Sequence, residues 1–252
     1  MMARDPLFEY LLRLGDNCLI LGHRLSEWCG HGPALEEDLA LSNVALDLIG
    51  QTQLWLGLAG EVEGRGRDAD KLAYLRDAGE FRNVLLVEQP NGDFAQTMAR
   101  QFYFDAWHYL LLRELSSSAD AGIAEIAAKA LKEVSYHLER SREWVIRLGD
   151  GTEESHRRMQ DGIDDLWMFT GELFEMDEVD REIAARGIGP DLAALHAPWL
   201  DLVRATAEEA TLTLPQPGWT QRGGKRGVHS EHLGYILTEL QFLQRAYPNA
   251  TW

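Results

Sequence analysis

The strongest constraint in this chain of 252 residues is a helical repeat. Leu7, Leu11, Leu14, Cys18, Leu21, Leu25 and Trp28 step by four and three residues, the spacing that lines up one face of an α-helix. They predict a first helix over about 5–29, ended by Gly30, Gly32 and Pro33. A second is expected over about 34–61; it is apolar nearly all round from Leu39 to Leu58, the mark of a helix buried on every side. Gly64 and Gly66 interrupt it, and a short helix over 68–77 leads into a link. That link holds Glu80, Phe81, Arg82 and Asn83, then the turn signal Pro90-Asn91-Gly92.

Phe94, Met98, Gln101, Asp105, His108, Leu112 and Leu115 mark a third long helix over 93–117, broken by Ser116, Ser117 and Ser118. Ala127, Ala130, Val134, His137, Ser141, Trp144 and Leu148 mark a fourth over 121–148, ending at Gly149 and Gly151. Further helices fit 153–174, 177–186, 190–212 and 230–246, the last with Ser230 as its N-cap. An irregular segment rich in Pro and Gly covers 213–229. This pattern predicts an all-α fold: a ferritin-like four-helix bundle with additional C-terminal helices, in a single domain over 1–252.

Composition excludes several classes of function. A net charge of -17 argues against nucleic acid, which needs clustered Lys and Arg. The longest stretch free of Asp, Glu, Lys and Arg, Leu48 to Gly60, has 13 residues, well short of a membrane span. The N-terminus lacks the basic start and apolar run of a signal peptide. The two cysteines, Cys18 and Cys29, fall on one predicted helix about 16 Å apart, too far to bridge. Reduced thiols without an export signal lead us to expect a cytoplasmic protein.

The informative residues are polar ones on apolar stripes. Asn17 belongs to the first helix, Asp47 to the second, Asp105 and His108 to the third, and Glu133 and His137 to the fourth. A buried carboxylate without a partner costs several kcal/mol, so each needs a reason to be there. A two-metal carboxylate bundle supplies one: a Glu from each of two helices, and a Glu-x-x-His from each of the other two. In chain order, the corresponding positions here read Asn17, Asp47-x-x-Gly50, Asp105 and Glu133-x-x-Tyr136. One carboxylate has become an amide and both expected imidazoles are absent. His108 and His137 stand at other offsets. Two readings stay open: a hydrogen-bonded polar core, neutralised by charged His108 and His137 with Lys129, or a residual ion site. No metal is expected to be held by this chain.

Five stretches carry a family resemblance: residues 13–18 (RLGDNC), 27–31 (EWCGH), 85–92 (LLVEQPNG), 105–108 (DAWH) and 223–234 (GGKRGVHSEHLG). Together they resemble the C-subunit family of bacterial ring-1,2-phenylacetyl-CoA epoxidase. The resemblance implies a ferritin-like, non-catalytic subunit paired with a related catalytic A subunit. That A subunit holds the di-iron centre and activates O2 to epoxidise the ring of phenylacetyl-CoA. A small B subunit joins the assembly, a reductase supplies electrons from NADPH, and the whole serves aerobic phenylacetate degradation. No cofactor is expected in this chain.

The resemblance further implies that the supporting subunit helps shape the cleft for the coenzyme A part of phenylacetyl-CoA. Glu80, Phe81, Arg82 and Asn83 match that role, with Arg181, Glu182 and Ile183 a second candidate. Arg82 and Asn83 carry donors suited to phosphate or adenine. Arg222, Lys225 and Arg226 make a basic glycine-rich loop in an acidic protein, suited to a phosphate or an acidic partner surface. Both segments also read as ordinary surface chain. Two rival functions remain: a self-sufficient di-metal oxidase or oxygenase using Asp47, Asp105, His108, Glu133 and His137, and a stand-alone scaffold.

Overall fold

A computed structural model describes residues 5–248 and 250. Among the described residues there are ten α-helices, four short 3-10 turns and no strand, an all-α architecture of the ferritin-like class. The chain divides into two compact units. One is made by the residues up to Gln89 together with those from Arg222 onward, the other by Pro90–Gln221.

In the first unit, α1 (Pro6–Ser26) and α2 (Leu35–Glu63) form an antiparallel hairpin. Asp5 caps α1 by accepting from the Leu7 N–H at 2.8 Å, and Pro6 sits where a missing N–H costs nothing. Gly15 lets the pair close: a Cβ there would collide with the Leu56 side chain. Leu41, Val44, Leu48, Trp55 and Leu56 of α2 are buried. Leu35, Leu39 and Leu46, however, are 71%, 56% and 68% exposed, so α2 is not enclosed on all sides as its sequence suggests. Periodicity reports that a face is apolar, not that this chain covers it.

The unit is completed by α3 (Ala69–Tyr74), α4 (Leu85–Glu88) inside the predicted link, and α10 (Glu231–Ala246). A buried ion pair ties the link to the hairpin. The Arg76 guanidinium donates through both Nη atoms to Asp16 of α1, and stacks 4.3 Å above the Phe81 ring. Arg76 and Asp16 are 1% and 0% exposed. Asp16 also accepts the Arg82 backbone N–H at 2.8 Å. One carboxylate thus serves three donors, the condition on which a buried charge is tolerated.

In the second unit, α5 (Phe94–Leu115) and α6 (Ala121–Gly149) form another long pair, capped by Asp93 and Asp120. Phe94 meets Trp144 edge-on at 5.0 Å. Helix α7 (Glu153–Trp167) packs on α5, where the Tyr103 hydroxyl donates to the Ile163 carbonyl at 3.2 Å. The helix expected over 153–174 stops at Trp167, and Gly171–Phe174 forms a separate 3-10 turn. Then come α8 (Glu178–Ala185), a 3-10 turn Leu192–Leu195 and α9 (His196–Glu209). The Trp199 indole on α9 donates to the Tyr103 carbonyl at 3.0 Å. Cys18 is buried, Cys29 is exposed beyond the end of α1, and both are free thiols.

Candidate functional site

The polar residues singled out by sequence fall in both units. In the second, Asp105 of α5 is fully buried. Its Oδ1 accepts from Gln101 Nε2 at 2.7 Å and its Oδ2 from the Ser141 hydroxyl of α6 at 2.8 Å. Burial pushes the Asp105 carboxyl up to about 6, although His137, Ser141, Gln101 and Arg140 all pull it down. His137 is 1% exposed and joins Asp105 in one layer.

His108 lies on the same helix face, 3% exposed and edged by the Phe104 ring at 5.0 Å. Burial and the neighbouring His137 lower its imidazole to about 3. It is therefore neutral at physiological pH, which corrects the expectation that a charged His108 neutralises the layer. Its Nδ1 is buried and has no hydrogen-bond partner among the described residues. Glu133, expected to turn inward, is half-buried, and Lys129 is exposed. Tyr136, where the two-metal template has an imidazole, is 53% exposed.

In the first unit, Asn17 is buried and its Oδ1 accepts the Val84 N–H at 2.8 Å. Asp47 is half-buried, and Gly50 is exposed at the other position expected to carry an imidazole. Neither set of residues, taken by itself, fits a pair of hard cations. Where ligand oxygens would be needed, Asp105 and Asn17 already hold donors of the protein.

The two candidate binding segments of this unit, far apart in sequence, are in contact. A Cβ at Gly224 would collide with the Asn83 carbonyl, and one at Gly227 with the Gly79 carbonyl. Gly227 also has φ of +79°, a conformation that favours glycine. Phe81 and Asn83 are fully buried. Asn83 Nδ2 donates to the Val84 carbonyl and to Glu88 Oε2, at 3.1 and 3.0 Å. Glu80 is half-buried and accepts the Asp77 N–H at 3.0 Å, closing the 3-10 turn Ala78–Glu80. Arg82 uses Nε on Glu9 at 2.7 Å and Nη1 on the Gly79 and Phe81 carbonyls. Its Nη2 makes no hydrogen bond among the described residues. Arg222 and Arg226 are exposed, whereas Lys225 is 8% exposed.

Glu88, which sequence reasoning missed, organises this region. It is fully buried; Oε1 accepts from the Ser230 N–H and hydroxyl at 2.7 and 2.8 Å, and Oε2 lies 2.9 Å from His229 Nδ1. Its own carbonyl accepts from Arg24 Nη2 at 2.8 Å. Ser230 stands at the N-cap position of α10, as its sequence position suggests, but its side chain makes no capping hydrogen bond; the hydroxyl donates to Glu88 instead. The signal was available in sequence: Glu88, His229 and Ser230 all lie in the stretches that carry the family resemblance.

The second coenzyme A candidate lies in the other unit. On α8, Arg181 is exposed and donates to the Met176 carbonyl at 2.8 Å, Glu182 is exposed, and Ile183 is fully buried.

Two comparisons bear on identity. The family described as Phenylacetic acid catabolic protein matches residues 1–252. The C subunit of 1,2-phenylacetyl-CoA epoxidase from Escherichia coli (strain K12) is 52% identical over 248 residues, covering 98% of this chain and 100% of that protein. No described helix is long and apolar enough to cross a membrane. A match along the whole length, joined to an all-α fold with the expected pattern of long helices, is decisive: this chain belongs to the Phenylacetic acid catabolic protein family.

Proposed function

We propose that this chain is the non-catalytic C subunit of a multicomponent phenylacetyl-CoA 1,2-epoxidase in aerobic phenylacetate degradation. The observation that carries the reading is Asp105. The position where a two-metal bundle has a ligand carboxylate is filled by a residue whose two oxygens are held by Gln101 and Ser141. Asn17, Gly50 and Tyr136 at the matching positions support the same conclusion. In this reading the two units act as one ferritin-like domain, no cofactor resides here, and the di-iron centre belongs to the catalytic A subunit. The small B subunit and a reductase complete a cytoplasmic assembly.

Exposed Leu35, Leu39 and Leu46 on α2 support a stable partner, because apolar faces of this kind call for a cover. Arg82, whose guanidinium packs against Gly227, and the exposed Arg222 and Arg226 of the same loop are the cations this reading offers to the coenzyme A phosphates of a shared cleft. Phe81, Asn83 and Glu80 hold that edge in shape, and Arg181 of the second unit is a separate candidate donor. The test is expression of the catalytic subunit with and without this chain, followed by size exclusion and a phenylacetyl-CoA turnover assay with the reductase. The reading expects co-elution, and activity that depends on this chain. A catalytic subunit that is soluble, iron-loaded and fully active alone contradicts it.

A further inference from the structure

Helix α10 carries one face that its own chain leaves uncovered. Glu231, Gly234, Thr238, Phe242 and Arg245 fall within about 40° of one line along the helix, and all five are exposed. Phe242 stands out from this line at 62% exposure, and Tyr235 flanks it at 69%. Leu233, Ile236 and Leu237 are buried and fix the helix to the first unit.

The face holds both a projection and a recess. A Cβ at Gly234 would meet nothing within 4 Å, and a groove of about 510 Å³ follows Gly234, Thr238 and Phe242. The charges stand at equal distances from Thr238, with Glu231 seven residues before it and Arg245 seven after. The Arg245 guanidinium is held in place by Asp77 at 2.9 Å and the Arg76 carbonyl at 2.8 Å, and its side chain stays 40% exposed. The Glu231 carboxylate makes no hydrogen bond or ion pair among the described residues.

This arrangement complements itself. A second α10 laid antiparallel, with Thr238 facing Thr238, brings Arg245 of each copy opposite Glu231 of the other. Phe242 then enters the gap bounded by Glu231, Gly234, Tyr235 and Thr238 of the second copy, a knob in a hole that Gly234 leaves open. Both contacts occur twice, as two-fold symmetry requires. A net charge of -17 sets two copies to repel each other over most of their surface, whereas this line carries one acid and one base.

We propose that the α10 face is a two-fold contact between two copies of this chain, with Thr238 on the axis, Phe242 seated against Gly234 and Arg245 paired with Glu231. One helix pair makes a small interface, so the dimer is reversible. Analytical ultracentrifugation of the full chain should show a monomer–dimer equilibrium with a Kd of about 1–100 µM. Phe242→Ala, and separately Glu231→Arg, should each weaken it at least about tenfold without moving Tm, because both side chains are exposed. Cysteine pairing tests the register. In a Cys29→Ser background, Thr238→Cys should oxidise to a covalent dimer, since a residue on the axis meets its own copy. Leu243→Cys, also exposed but turned about 140° away, should not. A monomer at about 300 µM, undiminished association of either variant, or cross-linking of Leu243→Cys as fast as that of Thr238→Cys would each overturn the proposal. The ultracentrifugation of the unmodified chain decides it independently of any variant.

Discussion

The Ser141 hydroxyl donates to Oδ2 of Asp105 at 2.8 Å, joining α6 to α5 inside the second unit. With Gln101 on Oδ1, the carboxylate is satisfied by protein donors on both oxygens. A layer that in the two-metal template binds ions here works as a cross-link between helices.

That arrangement predicts a pH-dependent stability. The folded-state value of Asp105, about 6, is raised from an ordinary 3.8, so the folded chain holds this proton more tightly than the unfolded chain does. Its contribution is fully present below pH 3.8 and is lost as pH rises through 6. Asp105→Asn lacks that term. The stability of wild type relative to Asp105→Asn should fall by about 3 kcal/mol between pH 3.5 and 7.5, as measured by urea denaturation at both values. A difference that stays flat across this range would mean that Asp105 is not buried as described.

Glu88 should matter more to the fold than any surface carboxylate. It accepts four hydrogen bonds, from Asn83, His229 and twice from Ser230, with no exposure to water. Glu88→Ala removes the shared acceptor of Asn83, His229 and Ser230 from the interior, at a cost of about 3–5 kcal/mol. Denaturant midpoints check this, and a loss under about 0.5 kcal/mol, typical of surface positions, would contradict it.

The basic loop should separate into structural and exposed parts. Gly224→Ala drives a Cβ into the Asn83 carbonyl and should cost about 2–4 kcal/mol. Arg222→Glu with Arg226→Glu should leave Tm nearly unchanged, since both side chains are exposed. The same double reversal should weaken binding of a coenzyme A ester, with the largest loss at low salt. Thermal melts and binding assays at two ionic strengths test both halves. Unchanged affinity would leave the loop without a ligand role.

Most of the helices were legible because a stripe such as Leu7 to Trp28 leaves little choice of secondary structure. Helix ends were harder: the apolar pattern runs past Trp167, but the chain turns there and starts a 3-10 turn at Gly171. The polar layer was visible as Asp105 and His108 on an apolar face. Its donors were not, because Gln101 and Ser141 look like ordinary stripe positions until α5 and α6 are side by side. Contacts between distant segments were the least legible. Nothing local says that Gly224 lies on Asn83, or that the Ser230 hydroxyl donates to Glu88.

The central claim is that this polar layer serves the fold and not metal chemistry, and iron content tests it most directly. The full chain, expressed with ample iron and dialysed extensively, is analysed by elemental analysis and absorption spectroscopy. The account predicts well under one tightly bound iron per chain, because the Asp105 oxygens are engaged by Gln101 and Ser141 and Asn17 holds the Val84 N–H. About two irons per chain with an oxo-bridged absorption band, the occupancy of a two-metal carboxylate bundle, would contradict it.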